Sequence, residues 1–420
     1  MLKKIIFLLT LQTAILLAQD SISLESLSNE NLSLKKALDF ALENNPEINK
    51  VREQIFIKDG EWWSSFGIDS PTISFAKEGI DKNIPDSFLE QRWHLQQSID
   101  FPLTTYFRLS KISSEKQALN ERFKNASNEL VAKVKLSYVD VLYNKRILGL
   151  RKKQIDLAEE LKKAATSKLE AGEIAELEMM KSEIQLAEAQ NFFEDATQQY
   201  HKARYDLFNV IGLDPSLQKY DIVFDDTLHI AVEEFNEVDE TADIENQPLV
   251  LSYKNLLESS SSNIYEAWST FLPKINFNYF KQDFGNGFNF NGYEIGVSVP
   301  IWFIFNQNGS IQTAKAQYRE IEWSLKEAKL KIKTEIENAW HGYESSKAKI
   351  NRYEKTIRDL ADELQSLTLT GYQLGELDLL RLLDAQQTYL NSEINYFNAL
   401  KDYYQQIIYL EKYLGKEIIF

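Results

Sequence analysis

The sequence predicts a mainly α-helical chain that also carries four membrane-type β-strands in two hairpins. Three observations lead there: two very long proline-free stretches, four short segments in which apolar and polar residues alternate, and a first half that reappears, residue type by residue type, in the second.

The eight prolines fall at positions 46, 71, 85, 102, 215, 248, 273 and 300, leaving 103–214 and 301–420 without any. Proline inside a helix removes a hydrogen bond and clashes with the preceding turn, so such stretches, rich in Glu, Lys, Ala, Leu and Gln, read as long helices. The halves echo each other in order. Asn45-Pro46 is answered by Gln247-Pro248, Trp63-Ser64-Ser65-Phe66 by Trp268-Ser269-Thr270-Phe271, Pro71 by Pro273, Pro102 by Pro300, and Gly172-Glu173-Ile174 by Gly375-Glu376-Leu377. Two structural repeats are expected, at about 31–212 and 246–415, joined by an acidic, pattern-poor linker over 213–245.

Each repeat supplies one hairpin, over 71–101 and 273–301. Ile73 and Phe75 alternate with polar or small neighbours, as do Trp93, Leu95, Ile99 and Phe101, then Ile275, Phe277 and Tyr279, then Tyr293, Ile295, Val297, Val299 and Ile301. Period-two patterning marks strands with one apolar face, at about the length a tilted barrel strand needs to cross a bilayer. Four strands cannot close a barrel, and an open edge cannot sit in lipid. Either several chains pool their strands, three copies giving twelve, or the strands form a small soluble sheet.

The helical arithmetic is specific. One helix is expected over 106–169, roughly 95 Å long at 1.5 Å per residue, with Leu130, Val134, Val141, Leu148 and Ile155 forming a coiled-coil-like seam. Shorter helices at 34–66 and 174–210 together match its length. The second repeat does the same with 312–371 against 247–271 and 378–414. The expected product is a rod with hairpins at one end and helix-to-helix turns at the other.

Residues 1–18 have the form of a secretory signal peptide: Lys3 and Lys4, a mostly apolar run from Ile5 to Leu17, then Ala18. The chain has no cysteine, which excludes disulfides, thiolate metal sites and an N-terminal lipid anchor. Losing Lys3 and Lys4 takes the formal charge from −16 to −18, a balance that argues against nucleic acid as a partner. The four histidines, His94, His201, His229 and His341, lack metal-ligand spacing, and no nucleophile elbow, P-loop or dinucleotide fingerprint is present. No catalytic, cofactor or metal site is expected. His94 falls on the polar side of its strand, as a lumen residue or as a solvated side chain.

This layout resembles the TolC family of outer-membrane efflux proteins over essentially the whole mature chain. The resemblance rests on Asn45-Pro46, Pro102, Pro300, Ala203-Arg204-Tyr205-Asp206-Leu207 with Ile211-Gly212-Leu213, both tip turns, and Leu383-Asp384-Ala385-Gln386. It implies a homotrimer in the bacterial outer membrane, four strands per protomer in a twelve-stranded β-barrel, and an antiparallel α-helical coiled-coil barrel tunnelling into the periplasm. It also implies a passive exit duct that works with a periplasmic adaptor and an inner-membrane pump of the resistance-nodulation-division class, without a cofactor. The segments 97–102 and 296–302 look most like the heavy-metal cation branch. By the same resemblance Asp384 is the candidate pore constriction. Arg381 stands where some members carry a second acid, and an Arg381–Asp384 ion pair is the alternative reading of both residues. Gly172, Glu173, Gly375, Glu376 and Asp378 are candidates for adaptor contact; the glycines would in any case end helices. The rival function is a soluble periplasmic scaffold or chaperone.

Overall fold

The computed structural model describes residues 32–81, 83–84, 87–214, 228, 243–285, 287–299 and 303–415. The expected signal peptide, most of the linker, and Pro300 with Ile301 and Trp302 lie outside the described residues.

The single helix expected over 34–66 is two helices, α1 (Leu34–Asn44) and α2 (Pro46–Ser64). Pro46 disfavours helical backbone at the residue before it, and Asn45 is extended, at φ −65°, ψ 125°. Asn45 then caps α2 by accepting from the Glu47 and Ile48 amides at 2.8 and 3.3 Å, while its own amide donates to the Val210 carbonyl at 2.7 Å. Gly212 ends helix α4 (Glu176–Ile211) against this break with φ +84°; a Cβ there would lie 2.8 Å from the Asn44 carbonyl oxygen. Close approach and handedness both demand glycine at that motif.

Strands β1 (Thr72–Glu78), β2 (Glu90–Ile99), β3 (Lys274–Asp283) and β4 (Asn289–Ser298) form one antiparallel sheet in the order β1-β2-β3-β4. The two hairpins therefore join through β2 and β3, with Ser98 opposite Asn276 and His94 opposite Phe280. β2 and β4 begin earlier than the alternation suggested. Residues such as Glu90, Gln91 and Asn289 are polar on both faces, so pairing to Glu78, Lys77 and Asp283 extends the strands where side-chain pattern gives no signal. Among the described residues, β1 and β4 each have a neighbour on one edge only.

The sheet's two faces are opposite in character. Ile73, Phe75, Trp93, Leu95, Ile99, Phe277, Tyr279, Tyr293, Ile295 and Val297 share one face by register. That face is uncovered: Ile73 is 69% exposed, Tyr293 75% and Ile295 68%. From Trp93 to Ile99 it spans six residues, roughly 20 Å along the strand.

Below the sheet runs α3 (Pro102–Glu170), 69 residues and about 100 Å long. It starts at Pro102, where a missing amide costs nothing. Its expected seam holds at Leu130, Val134, Val141 and Ile155, which are buried, whereas Leu148 is half-buried. In the second half come α5 (Pro248–Ser269), α6 (Phe303–Arg352), a single π-helical stretch at Tyr353–Ile357, α7 (Arg358–Gln373) and α8 (Leu379–Leu414). The expected long second helix is thus continuous but widened by one π turn.

α3 is the spine. Near the sheet it packs between α2 and α5, with α6 beyond α5; toward the far end it packs between α4 and α8, with α7 beyond α8. The main core sits at mid-height, where α1, the end of α4 and α8 wrap α3 around Tyr138, Leu207, Ile211, Leu400 and Ile407. Tyr138 satisfies its buried hydroxyl on the Leu32 carbonyl at 3.0 Å. Lys135 and Glu411, with side chains only 6% and 5% exposed, pair at 2.8 Å across α3 and α8. Removing one partner of such a pair strands a buried charge. Lys135→Ala is expected to cost about 3–5 kcal/mol in urea unfolding, and joint replacement by Lys135→Met with Glu411→Leu close to nothing. Equal costs for both variants would contradict this role.

Candidate functional site

The far end of the rod holds two turns of the same geometry. At Gly172 (φ +76°) the Glu173 amide donates to the Lys168 carbonyl at 2.9 Å and the Gly172 amide to that of Leu169 at 2.9 Å. At Gly375 (φ +79°) Glu376 donates to Gly371 at 2.8 Å and Gly375 to Tyr372 at 3.1 Å. Both are the paired C-terminal bonds of a helix that stops on left-handed glycine. The restarts differ. Ala175 gives α4 no side-chain cap, whereas Asp378 caps α8 by accepting the Arg381 amide at 2.9 Å. Asp378 therefore has a structural task of its own.

The structure brings Gly172, Glu173, Gly375, Glu376 and Asp378 to one end. Arg381 and Asp384 follow one and two turns along α8. Both are exposed, and among the described residues no ion pair joins them, so the paired alternative is not the arrangement found. Leu379, Leu382 and Ala385, on the opposite side of α8, are buried, which turns the Asp384 face outward from the protomer's own core. His94 is far away, half-buried on the polar face of the sheet between Ser74 and Phe280.

Sequence reasoning missed the tether between the two turns. The Lys168 ammonium donates to the Tyr372 carbonyl at 2.7 Å and lies 4.3 Å from the centre of its ring. Tyr372, 2% exposed, packs with Leu161, Leu379 and Leu382; burial first, then the Glu178 carboxylate, raises its phenol pKa. A hint existed: each tip glycine has a long side chain, Lys168 or Tyr372, within one turn upstream. Also missed was a stripe on the outer side of α7. Ile357, Leu360, Leu364, Leu367 and Leu374 are 39–71% exposed at steps of three, four and seven residues, the spacing of a coiled-coil seam. α4 carries a shorter counterpart in Leu177, Met180 and Ile184.

Lys168→Met removes a charge-assisted bond and a cation–π contact, together worth about 1–3 kcal/mol. Amide exchange at 371–377 is expected to quicken correspondingly, with the sheet unchanged. Unaltered exchange at that turn would contradict the tether.

Comparison with known proteins agrees with this architecture. Residues 243–416 match the family model described as outer membrane efflux protein. The cobalt-zinc-cadmium resistance protein CzcC of Cupriavidus metallidurans is 20% identical over 387 residues, covering 92% of this chain and 90% of CzcC. The CmeC outer membrane channel of Campylobacter jejuni superposes with a TM-score of 0.78 at 17% identity, over 91% of this chain and 85% of CmeC. CusC, whose structures describe folding and transmembrane channel formation, gives 0.78 at 13% identity over 96% of each chain. The second half of the chain thus matches the outer membrane efflux protein model, and nearly its whole length has the fold of solved outer-membrane channels and is similar to an efflux-family resistance protein.

Proposed function

We propose that the chain is one third of a passive exit duct through the bacterial outer membrane. The observation that carries this reading is the sheet: four strands, an outward apolar face and two open edges. A soluble scaffold would bury that face; lipid would cover it at no cost. The edges need partners, and an antiparallel copy of β1 beside β4 supplies them, closing a ring of twelve strands from three copies.

The same two sides of the protomer are unfinished along its length. Next to the sheet, α2 leaves Phe56, Ile57 and Trp63 exposed on one flank, and α6 leaves Trp323 and Leu330 exposed on the other. Toward the tip, the α4 apolar stripe lies on the first flank and the α7 stripe on the second. Left side meets right side of the next copy at every level, a head-to-tail contact that closes. The helices then wall a periplasmic tunnel. Its mouth is ringed by three Asp384 carboxylates, whose field favours cations. The tip turns around Gly172, Glu173, Gly375 and Glu376 meet a periplasmic adaptor, which connects the duct to an inner-membrane pump of the resistance-nodulation-division class. Likeness to a cobalt-zinc-cadmium resistance protein over nine-tenths of the chain supports metal cations as cargo beside other small molecules. Transport in the duct is downhill, with no catalytic turnover. Residues 1–18 act as the signal peptide, and the linker joins the two repeats.

Reconstitution tests the reading. Detergent-purified protein is expected to run as a heat-sensitive trimer and to give stepwise conductance in planar bilayers. Leu364→Glu with Leu367→Glu is expected to abolish the trimer by placing charge in the seam. Asp384→Asn, in intact trimers, is expected to lower cation preference in the reversal potential. A water-soluble monomer without conductance would refute the duct; unchanged selectivity in Asp384→Asn would remove that residue from the mouth.

A further inference from the structure

The face of the sheet opposite the apolar one is polar or glycine-rich almost throughout, and two large apolar side chains, Phe280 and Phe290, interrupt it. Both sit in the half nearer the hairpin turns. Phe280 on β3 faces His94 on one side and Gly292 on the other, while Phe290 on β4 faces Gln282, one pair further toward the turn. A Cβ on Gly292 would lie 2.3 Å from Phe280 Cζ and 2.7 and 2.9 Å from its two Cε atoms. The far edge of the ring therefore overlies the glycine, and the side chain leans across β4 along the sheet instead of standing out from it. Glycine within a strand permits that close approach.

Phe290 is 52% exposed, and its ring meets that of Phe284 edge-on, with centroids 6.0 Å apart at 70°, an arrangement aromatic rings favour. Phe280 and Phe290 are diagonal neighbours on adjacent strands, about 7–8 Å apart, within reach of one flat ligand. The charge beside them is acidic. Glu78 and Glu90 lie directly opposite each other on this face, and Glu294 follows Gly292 by one step on the same side of β4. The cation among them is Arg92, which donates to Glu90 at 2.8 Å. Like charges directly opposite each other in a sheet are destabilising, and a cation bound nearby offsets that cost.

We infer that Phe280 and Phe290, with the His94 imidazole alongside, form a binding station for flat aromatic organic cations on the polar face of the sheet. An exposed ring attracts a cation through its π face, ring-on-ring contact adds apolar burial, and the three carboxylates supply a field of matching sign. The station deepens the duct reading and rests on it, since this face meets cargo only as the wall of a lumen. Three copies give three stations at one level. Because each Phe280 ring leans along the wall, the station adds affinity with little narrowing.

Block of single channels in planar bilayers tests this. Ethidium, a flat aromatic cation, is added to the full-length protein on the hairpin side, and the concentration that halves the current is read; pyranine, a flat aromatic anion, is the counter-probe. Phe280→Ser with Phe290→Ser is expected to raise the half-blocking ethidium concentration about tenfold, with the ethidium-free conductance nearly unchanged. Phe280→Tyr, which keeps the ring, is expected to keep the block. Should the double variant form no channels, Phe290→Ser alone, at an exposed position, carries the test with an expected rise of about threefold. Native channels are expected to need at least about tenfold more pyranine than ethidium for the same block. Ethidium block that ignores the substitutions in conducting channels would overturn the station, and pyranine block as strong as that by ethidium would overturn its choice of cations. A native chain that forms no channel at all would overturn the duct reading and the station together.

Discussion

The backbone edges of the four-stranded sheet constrain everything else. A strand edge carries unpaired amide and carbonyl groups, each costing several kcal/mol in hydrocarbon, so a sheet whose outward face suits lipid cannot stop at four strands. On the proposed duct reading, that requirement shapes the chain from end to end. Its two hairpins are stitched through β2 and β3 into one unit, leaving one open edge on each flank. The helices below keep the same handed asymmetry, with α2 and α4 finishing one side and α6 and α7 the other.

Much of this was readable from residues because the signals are of long range and low ambiguity. Absence of proline over a hundred positions, alternation within strands and five ordered echoes between halves do not depend on local detail. What escaped was local chemistry. Asn45-Pro46 stood out in the sequence, yet its effect, a break capped by Asn45 and locked to Val210, needed the partner helix to be visible. The π turn at Tyr353–Ile357 left no mark, since a single widened turn keeps the apolar pattern nearly in phase. Strand ends at Glu90 and Asn289 were lost because polar residues beyond an apolar band carry no alternation.

At the tip, the glycine turns could be located in advance but their tie could not. Lys168 reaches a carbonyl in the other repeat, 204 residues away, and no spacing rule connects positions so distant. Asp378, singled out as a surface contact, also has a local task that the sequence did not announce: its side chain caps the start of α8. The exposed leucines of α7 were present in the sequence as a heptad. Only burial distinguishes a seam already filled within the chain from one left exposed.

The central claim, that neighbouring copies complete the sheet, is tested most directly by covalent capture across the open edges. The chain has no cysteine of its own, so Ser74→Cys on β1 can be combined in turn with a cysteine at each of positions 293–297 on β4, in membranes, under mild oxidation. Antiparallel pairing brings opposed Cα atoms to about 4.5–5.5 Å, close enough for a disulfide at matched register only. The account predicts intermolecular disulfides that peak at one register and end in a covalent trimer. Absence of intermolecular product at every register, or a ladder that stops at two copies, would contradict it.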